Sequence, residues 1–590
     1  MKRLSLAVAL IGLPIAASFE SRPGQLWSPT SALAQDSDPS AKEAFDAARD
    51  LGTAEAWEAF LARYRTGFYA DLARAYLKKV AEGAGAPPRP SASGPAPAAG
   101  PAPASAPAAP LPPPAAPART ADADTPPDRS LPPTDPGRPA VARGAAYMGF
   151  PERFNRYYTD PDWKPSRTVY VSPKGGGDGA TRETPMAARE AVAAARPGTK
   201  IHFLRGAYLG CFEFTKETSG TYDEPIAIYG ERNEDKTLGV KLTCCGSGRK
   251  TCFNLEDADY VAIDGFELIG GEYGVRAVGQ GFDSSQHSRG VAVIDCNGHD
   301  QERDPYKSAQ ADWAVWERNV GSGTGKRDGH GIYISGGSDW NIVRFNETFG
   351  GASSDFQINA DPTTNCKDDG VAFNDPRCDA YAGEGEGGRG ASDYILVDGN
   401  YFHHSLGPGA NFTSVRRSVI RNNIFGPQAR HNVTFWQETD NPKLGSSDNK
   451  ILHNLFITTG RHGVKFEVNS TRNLFANNII LGVQPNGAAH PNALLMEVDD
   501  TVGDNQYRSN LYLSGKIEGR APNGEETARP DFLPGWFAKF TGGMNRDPAA
   551  FRPAAGSPFL SKGTLLHDAP TDRTGRVRSG RVDLGPIELP

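Results

Sequence analysis

Long apolar stretches are scarce in this chain. Hydrophobic residues make up 38% of it, and the one sustained run, Leu4 to Ala17, is too short to cross a bilayer comfortably. No membrane span is therefore expected in the mature protein. An excess of basic charge is missing too: the formal net charge is -7, which excludes a general affinity for nucleic acid or anionic lipid and leaves room only for a local basic groove. Cysteine is sparse and odd in number, seven in all, so at least one thiol is unpaired or joined to another chain. Neither a CxxC motif nor a Cys/His spacing suitable for zinc is present.

What is present divides the 590 residues into unequal parts. Lys2 and Arg3, the apolar run and the small-residue site Ala32, Leu33, Ala34 read as a secretory signal over 1–34. The expected location is periplasmic or extracellular, in a Gram-negative-type bacterium. No cysteine follows the run, which argues against a lipid anchor. Over 36–83, Phe45, Ala48 and Leu51, then Trp57, Phe60, Leu61 and Tyr64, then Leu72, Ala73, Tyr76, Leu77 and Val80 recur at helical spacing, with Thr53 as an N-cap. This predicts a small tetratricopeptide-like helical hairpin, which either docks a periplasmic protein partner or is an inert spacer. Residues 84–142 are Pro, Ala and Ser, a composition that buries no apolar surface and predicts a disordered, extended linker.

Residues 146–590 read as a solenoid. Asn before apolar residues recurs at Asn346, Asn400, Asn423, Asn454, Asn478 and Asn510, and the last four intervals are 23, 31, 24 and 32 residues, one coil each with insertions on one side. Stacked Asn at one corner satisfies backbone groups and tolerates a left-handed backbone, a structural role. The entry from Thr168 to Asp178, through Thr184 and Pro185 to Arg196–Tyr208, predicts a strand, helix and strand that cap the first coil. Together with the exit segments Ala555–Pro558, Asp572–Arg576 and Val582–Glu588, it resembles secreted right-handed parallel β-helix proteins of the pectate lyase-like superfamily. The resemblance implies an all-β right-handed parallel β-helix and an acidic polysaccharide or oligosaccharide as partner, cut or modified by a lyase or epimerase.

Within each coil a second strand alternates. Ile332, Ile334, Phe356, Ile358, Val433, Phe435, Val464 and Phe466 should point inward. Tyr333, Gln357, Thr413, Thr434 and Lys465 should form one outward column, and Ser335, Asn359, Val415, Trp436 and Glu467 the next. Neighbouring coils lie about 4.8 Å apart, close to one sugar residue, so such a face can contact each sugar of an extended chain. Arg430, His431, Arg461 and His462 lie just before two of these strands and predict a cluster for uronate carboxylates, with Trp436 stacking on a ring. The plainer reading is that these are solvated turn residues and that Lys465 pairs with Glu467.

β-Elimination needs a cation or donors on the carboxylate, a base for the C5 proton and an acid for the leaving oxygen. Candidates are Arg430, Arg461, Gln357 and Asn359 for the first, Lys465 or His330 for the second, and Tyr333 or His431 for the third, with His462, Trp436 and Glu467 lining the groove. The same parts serve a C5 epimerase. A glycoside hydrolase would need paired carboxylates, Asp355 with Asp361 or Glu467 with Glu438. A non-catalytic glycan-binding or envelope-structural protein is the alternative from outside enzymology. The segment Gly321–Lys326 is no phosphate loop, because Arg327 follows where Ser or Thr is needed.

Asp355, Asp361, Asp368 and Asp369, near Asp375, Asp379, Glu384 and Glu386, are candidates for calcium, and the alternative is a solvated acidic loop. A disulfide Cys366–Cys378 would staple that loop. Cys252 is expected to pair with Cys244 or Cys245, leaving Cys211 and Cys296 to pair or stay reduced.

Overall fold

The computed structural model describes residues 148–246, 250–281, 284–322, 328–360, 390–437, 444–459, 461–484, 486–519, 533–540 and 548–589. It also describes a separate stretch at 53–65, with isolated neighbours at 48, 73, 74 and 77. In the separate stretch a helix runs Ala54–Arg63, opened by Thr53, whose side chain accepts from the Ala56 N–H. Trp57 and Phe60 are buried with Ala48 and Ala73.

Between Arg167 and Gly519 the described residues form a parallel β-helix. Three long sheets of 12, 11 and 11 strands run its length, and every strand pair in them is parallel to the coil before and after. The first sheet runs from Arg167–Val171 to Gln506–Arg508, the second from Phe212–Phe214 to Lys516–Gly519, and the third from Gly206–Leu209 to Leu511–Leu513. The helix Ala188–Ala193 lies between the first two strands in sequence and places Ala191 and Val192 in the core.

Alternation dictates the interior. Ile332, Ile334, Phe356, Ile358, Val433, Phe435, Val464 and Phe466 are all buried. Because each coil sets its side chain directly above the last, like rings stack: Phe412 on Phe435 at 4.8 Å and Phe435 on Phe466 at 5.0 Å between centroids.

The asparagine ladder is continuous. Each Oδ1 accepts from the backbone N–H of the Asn one coil earlier, at 2.8–3.0 Å, from Asn319 through Asn346, Asn400, Asn423, Asn454 and Asn478 to Asn510. Its members do not take the left-handed backbone expected of them. That falls on the preceding residue, at Arg318, Phe345, Gly399, Asn422, His453, Asn477 and Ser509, whatever its type. The corner is sharp there, and the side-chain amide holds the next residue in place. A second ladder runs through Asn449, Asn473 and Asn505, of which only Asn473 precedes an apolar residue.

The cysteines pair Cys211–Cys245 and Cys244–Cys252, and Cys296 is buried and reduced. Cys252 thus takes one of its two expected partners, whereas a Cys211–Cys296 bridge is ruled out. The Cys366–Cys378 pair lies outside the described residues. The C-terminal segment folds back over the third sheet, packing Phe537, Phe551, Phe559 and Leu584 against Tyr401, Ile424, Leu455 and Ile479. There the buried Arg578 pairs with Glu588. Among the described residues no helix is long and apolar enough to cross a membrane.

Candidate functional site

Register in the second sheet lines up one outward column, Glu213, Asn254, Arg276, Lys307, Tyr333, Gln357, Asn411, Thr434, Lys465 and Glu497. Asn411, not Thr413, therefore follows Gln357. The second column is Ser335, Asn359, Thr413, Trp436, with Thr413 where Val415 was expected. Val415 is fully buried and belongs to a short side pairing with Ser392. The register lies two residues earlier than expected, and a tight bend at Ser414, with φ of 57°, ends the strand before it can reach Val415.

His431 and His462 each precede the paired Val433 and Val464 by two residues, so they lie in neighbouring coils, with ring centroids 6.1 Å apart. Gly463 is required at the turn into its strand, since a Cβ there would come within 2.4 Å of the Leu495 carbonyl oxygen. Around the two rings stand Arg430 and Arg461, both exposed and, among the described residues, without an ion-pair partner. Burial and then the nearby His462, Lys465, Arg430 and Arg461 drive the His431 pKa down to about 3, so its imidazole is neutral at any ordinary pH. Asn411 donates through Nδ2 to Gln357 Oε1 at 3.0 Å, which turns its Oδ1 toward His431 Nε2, 3.4 Å away. In the tautomer that pairs with this oxygen, Nε2 carries the proton and Nδ1 the lone pair.

Lys465 behaves otherwise than expected of a base. Its Nζ lies 2.9 Å from Glu467 and 3.1 Å from Glu497. Burial disfavours its charge, but the two carboxylates outweigh this and hold its pKa above the ordinary lysine value. It is an ammonium. Glu497 also reaches His462, whose Nδ1 is 2.8 Å from Oε2 though poorly aligned as a hydrogen bond. Contact with His462 and Lys465 lowers the Glu497 pKa to about 2, the close approach of His462 being the largest cause.

The other predicted catalytic pair stands apart. His330 is only 6% exposed, and its Nδ1 lies 3.0 Å from the buried Asp304 Oδ1. Its ring centroid is 4.6 Å from that of Tyr333, whose face carries Lys307 Nζ at 3.3 Å. Tyr333 and Lys465 are four coils apart in the register, roughly 19 Å at the usual strand spacing, so they cannot act on one bond. The constellation expected from the sequence is thus two separate groups on one face. Gln357 bridges toward the second through Asn411; Trp436 is half-exposed on the adjacent column; Asn359 is largely buried.

Asp355 is fully buried, with Oδ1 accepting from the Gly351 N–H at 3.2 Å, and burial raises its pKa well above the carboxylate range. It fits neither calcium nor a role in groove hydrolysis. Asp361, Asp368, Asp369, Lys326, Arg327 and Glu438 lie outside the described residues, among which no group of three His, Cys, Asp or Glu could hold a metal. Sequence reasoning missed Asn411, Glu497 and Lys307. The alternation of Leu494–Val498 and of Asp304–Ala309 carried the signal for the last two.

No protein-family model matches the chain, and no curated protein does. Among solved structures it is similar to the pectate lyase Pel9A, at 13% identity and a TM-score of 0.46, over 72% of this chain and 97% of that one. It is also similar to an alginate lyase from Paenibacillus sp. str. FPU-7, at 12% identity and 0.31, over 62% and 100%. The Azotobacter vinelandii mannuronan C-5 epimerase AlgE4 A-module is similar at 13% and 0.37, over 62% and 100%. Identities and TM-scores this low place no activity on this chain.

Proposed function

We propose that this protein is an exported polysaccharide lyase that cleaves a uronate-containing chain by β-elimination at the Arg430, His431, Arg461, His462 cluster. The observation that carries this is a neutral, half-buried imidazole set among cations, two of which, Arg430 and Arg461, have no carboxylate of their own among the described residues. A uronate supplies that carboxylate. Neutralising it lowers the cost of withdrawing the C5 proton, because charge develops on its oxygens as the proton leaves.

In this reading His431 Nδ1 takes the C5 proton, the C–H electron pair moves into the C4–C5 double bond, and the C4–O bond breaks with its electrons on oxygen. His462, when protonated and held by Glu497, returns a proton to that oxygen, and Lys465 adds a donor beside it. Glu467 and Glu497 both contact the Lys465 ammonium, which invites comparison with a hydrolase pair. A Glu497 held at about pH 2 is ionised throughout the working range and could serve such a pair only as its base or nucleophile, not as its general acid.

The test is incubation of the purified full-length protein with pectate, alginate and glycosaminoglycans while ultraviolet absorbance is followed, since the unsaturated uronate product absorbs and the substrate does not. A rise that disappears in His431→Gln is the expected result. Glycan binding with no rise on any of these polymers refutes the lyase.

A further inference from the structure

The column that carries the cluster begins at a second, unassigned cavity. A pocket of about 440 Å³ is lined by Glu213, Asn254, Lys250, Glu272, Tyr273 and Arg303 among others, with Arg276 at its edge. Glu213, Asn254 and Arg276 belong to the same outward column as Lys465, respectively eight, seven and six coils upstream, roughly 29 to 38 Å at the usual strand spacing. Two disulfides, Cys211–Cys245 and Cys244–Cys252, tie down its wall.

The chemistry of the lining is mixed in an informative way. Arg276 is already held by Glu256 and Asn254. Lys250 has no ion-pair partner among the described residues, and Arg303 reaches Glu272 only at 3.8 Å while its guanidinium lies 5.7 Å from the centre of the Tyr273 ring. A simple anion would be repelled by Glu213 and Glu272, and a neutral sugar would leave Lys250 without a counter-charge and Arg303 with only the long contact to Glu272. A uronate sugar meets both needs, its hydroxyls donating to Glu213, Glu272 and Asn254 and its carboxylate accepting from Lys250 and Arg303. Tyr273 is a donor here, because burial pushes its pKa up to about 12.

We propose that this cavity is a remote subsite for a uronate residue of the same polysaccharide chain, anchoring it about six to eight sugars from the bond that is cut, at one sugar per coil. This rests on the lyase reading above for the identity of the chain, though not for its own existence. The subsite makes the enzyme prefer long chains without touching the reacting atoms.

Size-fractionated oligogalacturonates, oligomannuronates and oligoguluronates, as trimers and as chains of roughly eight to ten sugars spanning both sites, provide the probe. Calorimetric titration uses full-length protein carrying His431→Gln, so that the ligand is not consumed, with and without Lys250→Ala plus Arg303→Ala. The expected result is about a tenfold or greater loss of affinity for the long oligomer, as for two charged hydrogen bonds, with trimer binding unchanged. Both substitutions are at exposed side chains, and unaltered thermal unfolding verifies the fold. Equal affinity of the two proteins for the long oligomer overturns the subsite, as does absence of long-oligomer binding to the protein that retains Lys250 and Arg303. Length-dependent binding with no ultraviolet product from the wild-type chain overturns the elimination chemistry and leaves the subsite standing.

Discussion

His330 and His431 enter strands of the same sheet, and the sequence offers the first as a base and the second as an acid, yet the structure surrounds them with opposite charge. His330 faces a buried carboxylate, Asp304, and is almost closed to solvent. His431 faces His462, Lys465, Arg430 and Arg461 and is held neutral. A histidine beside a carboxylate is fixed in orientation and satisfied. One beside cations is a free base with anion-binding groups at hand. The comparison teaches that position in a repeat does not decide chemistry; the neighbours one coil away do.

The largest effect that could break this contrast is at His431 itself. His431→Gln should lower kcat by about a thousandfold, the usual weight of a general base, with thermal unfolding unchanged. The reverse pattern is expected of His330→Ala: turnover at the cluster is retained, while chemical denaturation shows a loss of about 2 kcal/mol because the buried Asp304 loses its side-chain partner and keeps only the residue-330 backbone N–H. If His330→Ala abolishes turnover and His431→Gln does not, the two groups have been assigned the wrong way round.

Next in size come the cations. Arg430→Ala or Arg461→Ala should raise KM about tenfold for a uronate polymer, and the loss should be smaller for a methyl-esterified one, which lacks the charge. Steady-state kinetics on matched polymers decides this.

The smallest effect is on the pH profile, and its sign follows from the neutral base. His431 works deprotonated, and its folded pKa of about 3 means that this form is fully present above pH 4 and is lost only as pH falls through 3. The acid limb of kcat/KM should therefore carry no inflection near 6.5 from the base. Removing neighbouring positive charge by Lys465→Met should move the base's inflection upward. Glu497 works in the other direction for stability: its folded pKa of about 2 lies below the ordinary value of 4.5, so its contribution is present above pH 4.5 and is lost as pH falls toward 2. Glu497→Gln should flatten the unfolding midpoint across that window.

Much of the scaffold was legible because it is periodic. Six of the seven ladder asparagines and all eight inward residues could be counted from the sequence, since a coil that repeats must repeat its corners and its core. The neighbours of the candidate site were less so. Thr413 was taken for Asn411 in a strand whose register lies two residues earlier and which a bend at Ser414 ends, and Lys465 passed for a base because Glu497, 32 residues later, could not be seen beside it.

By itself, then, the sequence determined the coil: alternating strands, an Asn corner, and a face with charged and aromatic residues spaced for an extended chain. Only the tertiary structure decided which of those residues share a site. Burial, the sign of neighbouring charge and the tautomer of an imidazole are set by groups from adjacent coils, 20 to 54 residues distant in the chain for the contacts around His431 and Asn411, and no local pattern encodes them.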